Sequence, residues 1–157
     1  WEIFSRVRSA ARGDPFFVGC AQQVSRQLYA WRPSELVEIC CAFSRCASPE
    51  GDRLLRRALW RVESLAAHLG GAELVRLLEA YAVRGLREHD PRRPDLLHAA
   101  APRLQACAGS LGSAEVNRAA AVYRQLNVRE AGLIDALAEQ MVRLLGAGSR
   151  RRFREVA

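Results

Sequence analysis

Apolar positions recur along this chain with the period of an α-helix. After Glu73, the apolar positions one, four, five and eight residues later are Leu74, Leu77, Leu78 and Tyr81, which form one stripe on a helix. Ala, Leu and Arg, which favour helix, are abundant, whereas Ile, which favours strand, is scarce and Thr is absent. The pattern therefore predicts an all-α protein.

Two sequence motifs recur and alternate. The first is an acidic residue followed at once by an aliphatic residue and eight positions later by an aromatic one; its copies begin at Glu35, Glu73 and Glu115, spaced by 38 and 42 residues. The second is a pair of large apolar residues, with copies spaced by 38, 42 and 37 residues: Phe16-Phe17, Leu54-Leu55, Leu96-Leu97 and Leu133-Ile134. Because the two motifs alternate, the repeating unit is a hairpin of two helices.

One such hairpin cannot bury the apolar stripes of both its helices, and stacking of neighbouring hairpins supplies the missing surface. We therefore predict an α-solenoid of about four stacked two-helix hairpins with a period of 37–42 residues, in a domain spanning 1–147 and followed by a basic tail at 148–157. The predicted helices are 2–12, 15–29, 34–46, 50–68, 72–85, 94–109, 114–126 and 129–146.

Local signals and the repeat together predict the helix ends and the core. Ser34, Ser48 and Ser113 are expected to cap helix N-termini, and Gly85 and Asn127 to end helices in a left-handed conformation. We interpret the recurring aromatic residue as core rather than as a base-stacking platform. The side chains expected to be buried are Leu36, Phe43, Leu55, Leu74, Tyr81, Leu97, Val116, Tyr123 and Ile134.

The charge of the chain is strongly positive. All 24 basic residues are arginine, and the formal net charge is +7. One interpretation is chemical, because arginine binds phosphate bidentately and stacks on bases. The other is codon bias in a GC-rich genome, which accounts for the absence of lysine. Under either interpretation the net charge agrees with a polyanionic partner.

Residues with catalytic or metal-binding potential do not form a recognisable site. The three histidines are scattered, the five cysteines form no CxxC pair, and no phosphate-binding glycine loop or nucleophile elbow is present. We therefore expect no enzyme activity, metal, cofactor, disulfide or small-molecule substrate, and a reducing compartment. The apolar stretches are too short to span a membrane. The initial Trp1 suggests a processed or truncated chain.

Arginines are expected to line up along the stack, because equivalent positions of successive repeats lie side by side. The positions three and ten residues after the acid form two rows: Ser5, Glu38, Arg76 and Arg118, and Arg12, Arg45, Val83 and Gln125. Such rows are either a solvated face or donors to phosphates and base edges. The candidate RNA-binding residues, which include two further arginine clusters, are Arg12, Arg45, Arg76, Arg118, Gln125, Arg53, Arg57, Arg61, Arg150, Arg151, Arg152 and Arg154.

The repeat resembles that of a known class of proteins. The segments that carry the resemblance are Pro33-Ser34-Glu35-Leu36-Val37-Glu38-Ile39 with Ala42-Phe43-Ser44-Arg45, and Gly71-Ala72-Glu73-Leu74 with Ala80-Tyr81-Ala82. They are similar to the helical-hairpin repeats of organellar RNA-binding proteins, namely those preceding RAP domains, FAST-kinase-like arrays and heptatricopeptide repeats. The similarity covers nearly the whole chain, but a RAP domain and the two-residue code of pentatricopeptide repeats are absent from it.

The resemblance implies a protein of the mitochondrial matrix, or alternatively of a plastid, that binds RNA. A chain without an enzyme domain would then be a structural component of a mitochondrial ribosome, in contact with rRNA and neighbouring proteins, or an organellar rRNA maturation factor. The alternative is a HEAT-like protein–protein scaffold subunit of a large organellar complex. RNA binding predicts a contiguous positive surface, whereas a scaffold predicts an exposed apolar groove.

Overall fold

The computed structural model describes residues 15–46, 48–85 and 96–155, with side chains described as far as Gly146. These residues form seven α-helices and two single 3-10 turns, and they include no β-strand. The helices are α1 Pro15–Arg26, α2 Pro33–Ser44, α3 Pro49–Leu65, α4 Gly71–Val83, α5 Leu96–Cys107, α6 Ser113–Gln125 and α7 Ala131–Glu155. The protein is therefore all-α over the described ranges, as predicted.

Six of the seven helices begin and end within about three residues of the predicted positions, and the predicted helix at 2–12 lies outside the described residues. The exception is α7, which continues to Glu155 instead of ending at position 146. No proline interrupts this segment, and arginine is a good helix former, so the helix passes through Gly146 and the basic stretch that follows.

The helices pack in two layers. In one layer α4 lies between α2 and α6 and contacts both; in the other, α1, α3, α5 and α7 contact one another in that order. The two layers are joined within each hairpin, where α2 packs on α3, α4 on α5, and α6 on α7. This packing is compatible with a helical repeat.

The aromatic residue of the repeat makes the same contact in successive hairpins. The buried Tyr81 hydroxyl on α4 donates a hydrogen bond to the Leu55 carbonyl of α3 at 2.8 Å. On α6, Tyr123 donates to the Leu97 carbonyl of α5 at 2.7 Å. In both cases the two residues are 26 positions apart, so each tyrosine reaches the trailing helix of the preceding hairpin. The first copy has Phe43 in the same place, with its ring centroid 4.8 Å from that of Phe17.

A second contact recurs at the turns that precede the leading helices. The Arg103 side chain on α5 donates from Nε to the Leu69 carbonyl at 3.1 Å. On α7, the buried Gln140 donates from Nε2 to the Leu111 carbonyl at 2.9 Å. Leu69 and Leu111 each lie two residues before the start of a leading helix, so the trailing helix of a hairpin tethers the turn that joins that hairpin to the preceding one.

The core contains eight of the nine side chains expected there, and the prediction for Ile134 is wrong. Ile134 is 47% exposed, whereas its neighbour Leu133 is 1% exposed. In the earlier trailing helices the equivalent positions, Leu55 and Leu97, are covered by the leading helix of the next hairpin. Among the described residues no such helix lies beyond α7, so Ile134 stays at the surface.

Ser48 caps α3 as predicted, accepting from the backbone N–H of Gly51 at 3.0 Å, but two other N-caps differ from the predicted ones. Ser34 and Ser113 lie inside the first turns of α2 and α6, which begin one residue earlier than each predicted start. The recurring glutamate caps the helix instead: the Glu73 carboxylate accepts from the backbone N–H of Gly70 at 2.9 Å, and Glu35 accepts in the same way at Arg32. A carboxylate three residues into the helix satisfies an otherwise free N–H and also interacts favourably with the helix dipole.

Candidate nucleic-acid interface

The leading helices α2, α4 and α6 form one side of the molecule, and a groove of about 410 Å³ runs across them. Four of the predicted RNA-binding residues line it, namely Arg45, Arg76, Arg118 and Gln125. The structure therefore brings together residues that are separated by up to 80 positions in the sequence. The fifth member of these rows, Arg12, lies outside the described residues.

Acidic side chains of the leading helices form ion pairs with two of these arginines. Arg76 donates two hydrogen bonds to the Glu38 carboxylate, at 2.6 and 2.8 Å, and this contact raises the pKa of Arg76 above its ordinary value. Arg118 lies 3.4 Å from Glu79 and 3.2 Å from Glu115. The pairs of Arg76 with Glu38 and of Arg118 with Glu79 link successive leading helices, whereas the pair of Arg118 with Glu115 lies within α6. The groove therefore has mixed charge, and the guanidinium groups of Arg76 and Arg118 are already paired with carboxylates of the leading helices.

Arg45 differs from its neighbours in the groove. It is exposed, and the described part of the chain offers it no ion pair. At the other end of the groove, Gln125 is also exposed. These two residues are the donors of the groove that remain available to a ligand.

The arginine cluster of α3 lies in the other layer, away from the groove. Arg53, Arg56 and Arg57 are exposed on the side of α3 opposite its buried stripe, which includes Leu55 and Ala58. Within the described ranges none of the three forms an ion pair. The structure therefore does not unite the two predicted sets of arginines on one surface, and the α3 cluster is the more available of the two.

An aromatic pair lies beside the α3 cluster, and the sequence reasoning missed it. The rings of Tyr29 and Trp60 have their centroids 4.9 Å apart, and the guanidinium carbon of Arg61 lies 5.9 Å from the Tyr29 ring centroid. Tyr29 is 68% exposed, so a face of the pair is open to solvent. The sequence feature that could have indicated this pair is the position of Trp60 among the four arginines of α3. We call Tyr29, Arg53, Arg56, Arg57, Trp60 and Arg61 the α3 surface.

Helix α7 continues through the basic stretch at 150–154. The side chains of Arg150, Arg151, Arg152 and Arg154 lie outside the described residues, and their candidate role is a prediction.

The cysteines lie in unequal environments. Cys40 and Cys41 are buried, whereas Cys20, Cys46 and Cys107 are partly exposed. Burial raises the pKa of Cys40 to about 12, and it also raises the pKa of Cys41. Both thiols are therefore protonated near neutral pH, which is unfavourable for a nucleophile.

Among the described residues no three His, Cys, Asp or Glu side chains come together in a way that could hold a metal ion. The same residues include no helix that is long and apolar enough to cross a membrane.

No known protein family matches the sequence, and no curated protein is significantly similar to it.

Proposed function

We propose that this chain is a non-catalytic RNA-binding protein, built as an α-solenoid of about four helical hairpins. The recurrence of the tyrosine contact at a spacing of 26 residues, in two successive hairpins, supports the solenoid. In this proposal the protein is a structural component of a mitochondrial ribosome or an organellar rRNA maturation factor in the mitochondrial matrix. The assignment to the organelle rests on the resemblance of the repeats.

The observation that carries RNA binding is the α3 surface. It combines exposed arginines that have no acidic partner among the described residues with an aromatic pair in which Tyr29 is exposed. Single-stranded RNA is bound by this combination, because cations track the phosphates and aromatic rings stack on unpaired bases. Arginine serves both needs, since its planar guanidinium also stacks.

The groove of the leading helices is the weaker candidate for the RNA path. Its Arg76 is engaged by Glu38, and an incoming phosphate would have to displace that carboxylate. This leads to a direct test. If RNA lies in the groove, Glu38→Gln frees the guanidinium of Arg76, removes a negative charge and strengthens RNA binding. If RNA lies on the α3 surface, Glu38→Gln changes the affinity little beyond the effect of one net charge.

The main experiment compares two triple variants of equal charge. Replacing Arg53, Arg56 and Arg57 with glutamine should flatten the slope of log affinity against log salt by about 2 for single-stranded RNA, since each lost phosphate contact contributes about 0.7. The matched control replaces three exposed arginines at the other end of the molecule with glutamine: Arg124, Arg129 and Arg143. The control should leave the slope nearly unchanged. Equal slopes in the two variants would rule out a localised α3 site.

Stacking is tested separately with Tyr29→Leu. Because Tyr29 is 68% exposed, this change should hardly affect stability. It should weaken binding to unstructured RNA by roughly tenfold, which lies within the range of about 1–3 kcal/mol measured for one stacked base. Unchanged affinity would remove the aromatic pair from the binding surface.

The second candidate is a HEAT-like protein–protein scaffold subunit of a large organellar complex. It is favoured by an exposed apolar groove between α6 and α7, which is described below. The two functions are separated by crosslinking the protein in its native extract and identifying whether rRNA or only protein is attached. If the purified protein binds RNA no better than a neutral helical repeat at roughly 150 mM salt, the positive charge reflects genome composition and the scaffold function is the better account.

A further inference from the structure

A second groove, of about 510 Å³, lies between α6 and α7 at the C-terminal end of the array. Its base is formed by Tyr123, Leu133 and Leu137, which are buried. Toward the solvent, α7 adds Ile134 and Met141, so that its outer face is apolar as well. Val142 and Leu145 continue the exposed apolar character of α7 and are 70% and 68% exposed. The groove is therefore much less polar than the groove of the leading helices.

The repeat shows what the equivalent surfaces of the earlier hairpins bind. The α7 positions Leu133, Ile134, Leu137, Ala138 and Met141 correspond to Leu96, Leu97, Ala100, Ala101 and Leu104 of α5. All five α5 residues are buried, with exposed fractions of 0–4%. The leading helix α6 covers this region: it packs on α4, and its tyrosine hydroxyl bonds to the carbonyl of Leu97 on α5. The groove between α6 and α7 therefore has the shape of a site for one more leading helix.

The charge at the rim of this groove is positive. On α4, the positions that face the next leading helix include the buried Val75 and Ala82, and their equivalents on α6 are the exposed Asn117 and Arg124. Arg129, in the turn before α7, is a second exposed cation at the rim. Neither arginine has an acidic partner in the described part of the chain. An occupant with acidic side chains would complement both.

We propose that this groove binds an acidic amphipathic helix of a protein partner, one that carries the leading-helix pattern of this chain. The helix begins with a capping glutamate and places an aromatic residue eight positions later, where a tyrosine hydroxyl donates to the carbonyl of Ile134. Its apolar stripe covers Ile134 and Met141, and its acids lie against Arg124 and Arg129. The site continues the series of interfaces formed by α4 on α2 and by α6 on α4, and it is separate from the α3 surface.

The probe is a fluorescent peptide with the sequence of residues 70–85, which forms α4 in this protein and occupies the equivalent groove there. An acidic version carries Arg76→Glu and Arg84→Glu, and the unmodified sequence is its matched control. The acidic peptide should bind the full chain several-fold more tightly than the control peptide. Replacing Tyr81 of the acidic peptide with aspartate should abolish binding, because the aromatic position faces the apolar base of the groove.

Variants of the protein locate the site. Ile134→Gln should weaken binding of the acidic peptide by about tenfold, the loss expected from one large apolar contact. Arg124→Gln with Arg129→Gln should remove the preference for the acidic peptide while leaving the control peptide unaffected. The triple glutamine variant of Arg53, Arg56 and Arg57 should bind the peptide like the wild type. Circular dichroism establishes that each variant is folded.

Three results would overturn the proposal: no binding of either peptide at roughly 100 µM, equal binding to the wild type and to Ile134→Gln, or displacement of the acidic peptide by single-stranded RNA in the Arg53, Arg56 and Arg57 variant. The last result would assign the groove to RNA. RNA binding is read from the salt dependence of the Arg53, Arg56 and Arg57 variant, and peptide binding from Ile134→Gln, so failure of one proposal leaves the other testable.

Discussion

Replacing Tyr81 with alanine should strongly destabilise the fold. The side chain is 3% exposed, its hydroxyl donates to the Leu55 carbonyl at 2.8 Å, and the Cys40 sulfur lies 4.0 Å from the hydroxyl oxygen. Removing a buried aromatic side chain loses its apolar contacts and leaves a cavity that neighbouring helices fill only in part. We expect the free energy of unfolding to fall by about 3–5 kcal/mol, the usual range for such a change.

A second variant, Tyr81→Phe, separates the hydrogen bond from the packing. The Leu55 carbonyl lies inside α3 and can accept the helical N–H of Leu59, so loss of the hydroxyl does not leave it without a partner. The expected cost is therefore about 0.5–1.5 kcal/mol. Tyr123→Phe should cost the same, because Tyr123 makes the equivalent bond to Leu97. The double phenylalanine variant should be additive within about 0.5 kcal/mol.

The measurement is urea unfolding followed by the circular dichroism of the helices. Val83→Ala is the matched control, since Val83 ends the same helix and is 71% exposed. The control should change the free energy of unfolding by less than about 0.5 kcal/mol. If Tyr81→Ala proves as mild as the control, α4 does not pack on α3 through this side chain, and the repeat register built on the tyrosine contact is wrong.

Two further predictions concern a close approach and a buried thiol. Gly71→Ala should destabilise by about 1–3 kcal/mol, because the added methyl would lie 2.8 Å from Leu111 Cδ2. Gly19→Ala, which meets no atom within 4 Å in α1, should stabilise by about 0.5–1 kcal/mol in the same urea assay, and similar effects at the two sites would contradict the packing. The pKa of Cys40 is about 12 in the folded state against an ordinary 9.0, so the stability from the protonated thiol is complete below pH 9 and is lost as the pH rises toward 12. The free energy of unfolding should fall by about 1.4 kcal/mol per pH unit in that window relative to Cys40→Ala, and parallel pH profiles of the two proteins would refute this.

The sequence alone determined the helices and their register, because both depend on neighbours along the chain. The 3.6-residue period identifies the buried face of each helix, and the spacing of Glu35, Glu73 and Glu115 aligns the copies. Helix ends followed from local backbone preferences: Gly85 and Asn127 adopt positive φ values of 60° and 52°. The N-caps at Ser34 and Ser113 were predicted less well, because α2 and α6 begin one residue earlier than expected and this boundary depends on the final geometry of the turn.

Only the tertiary structure decided which charges are available and which apolar faces stay uncovered. Periodicity shows that Arg76 lies on an outer face, but not that Glu38, 38 residues away, lies opposite it. In the same way, Tyr29 meets Trp60 only because α1 packs on α3. Ile134 follows the repeat in sequence, yet it is exposed because no described helix packs beyond it. Such contacts depend on which helix lies next to which, and a period along one helix contains no information about the neighbouring helix.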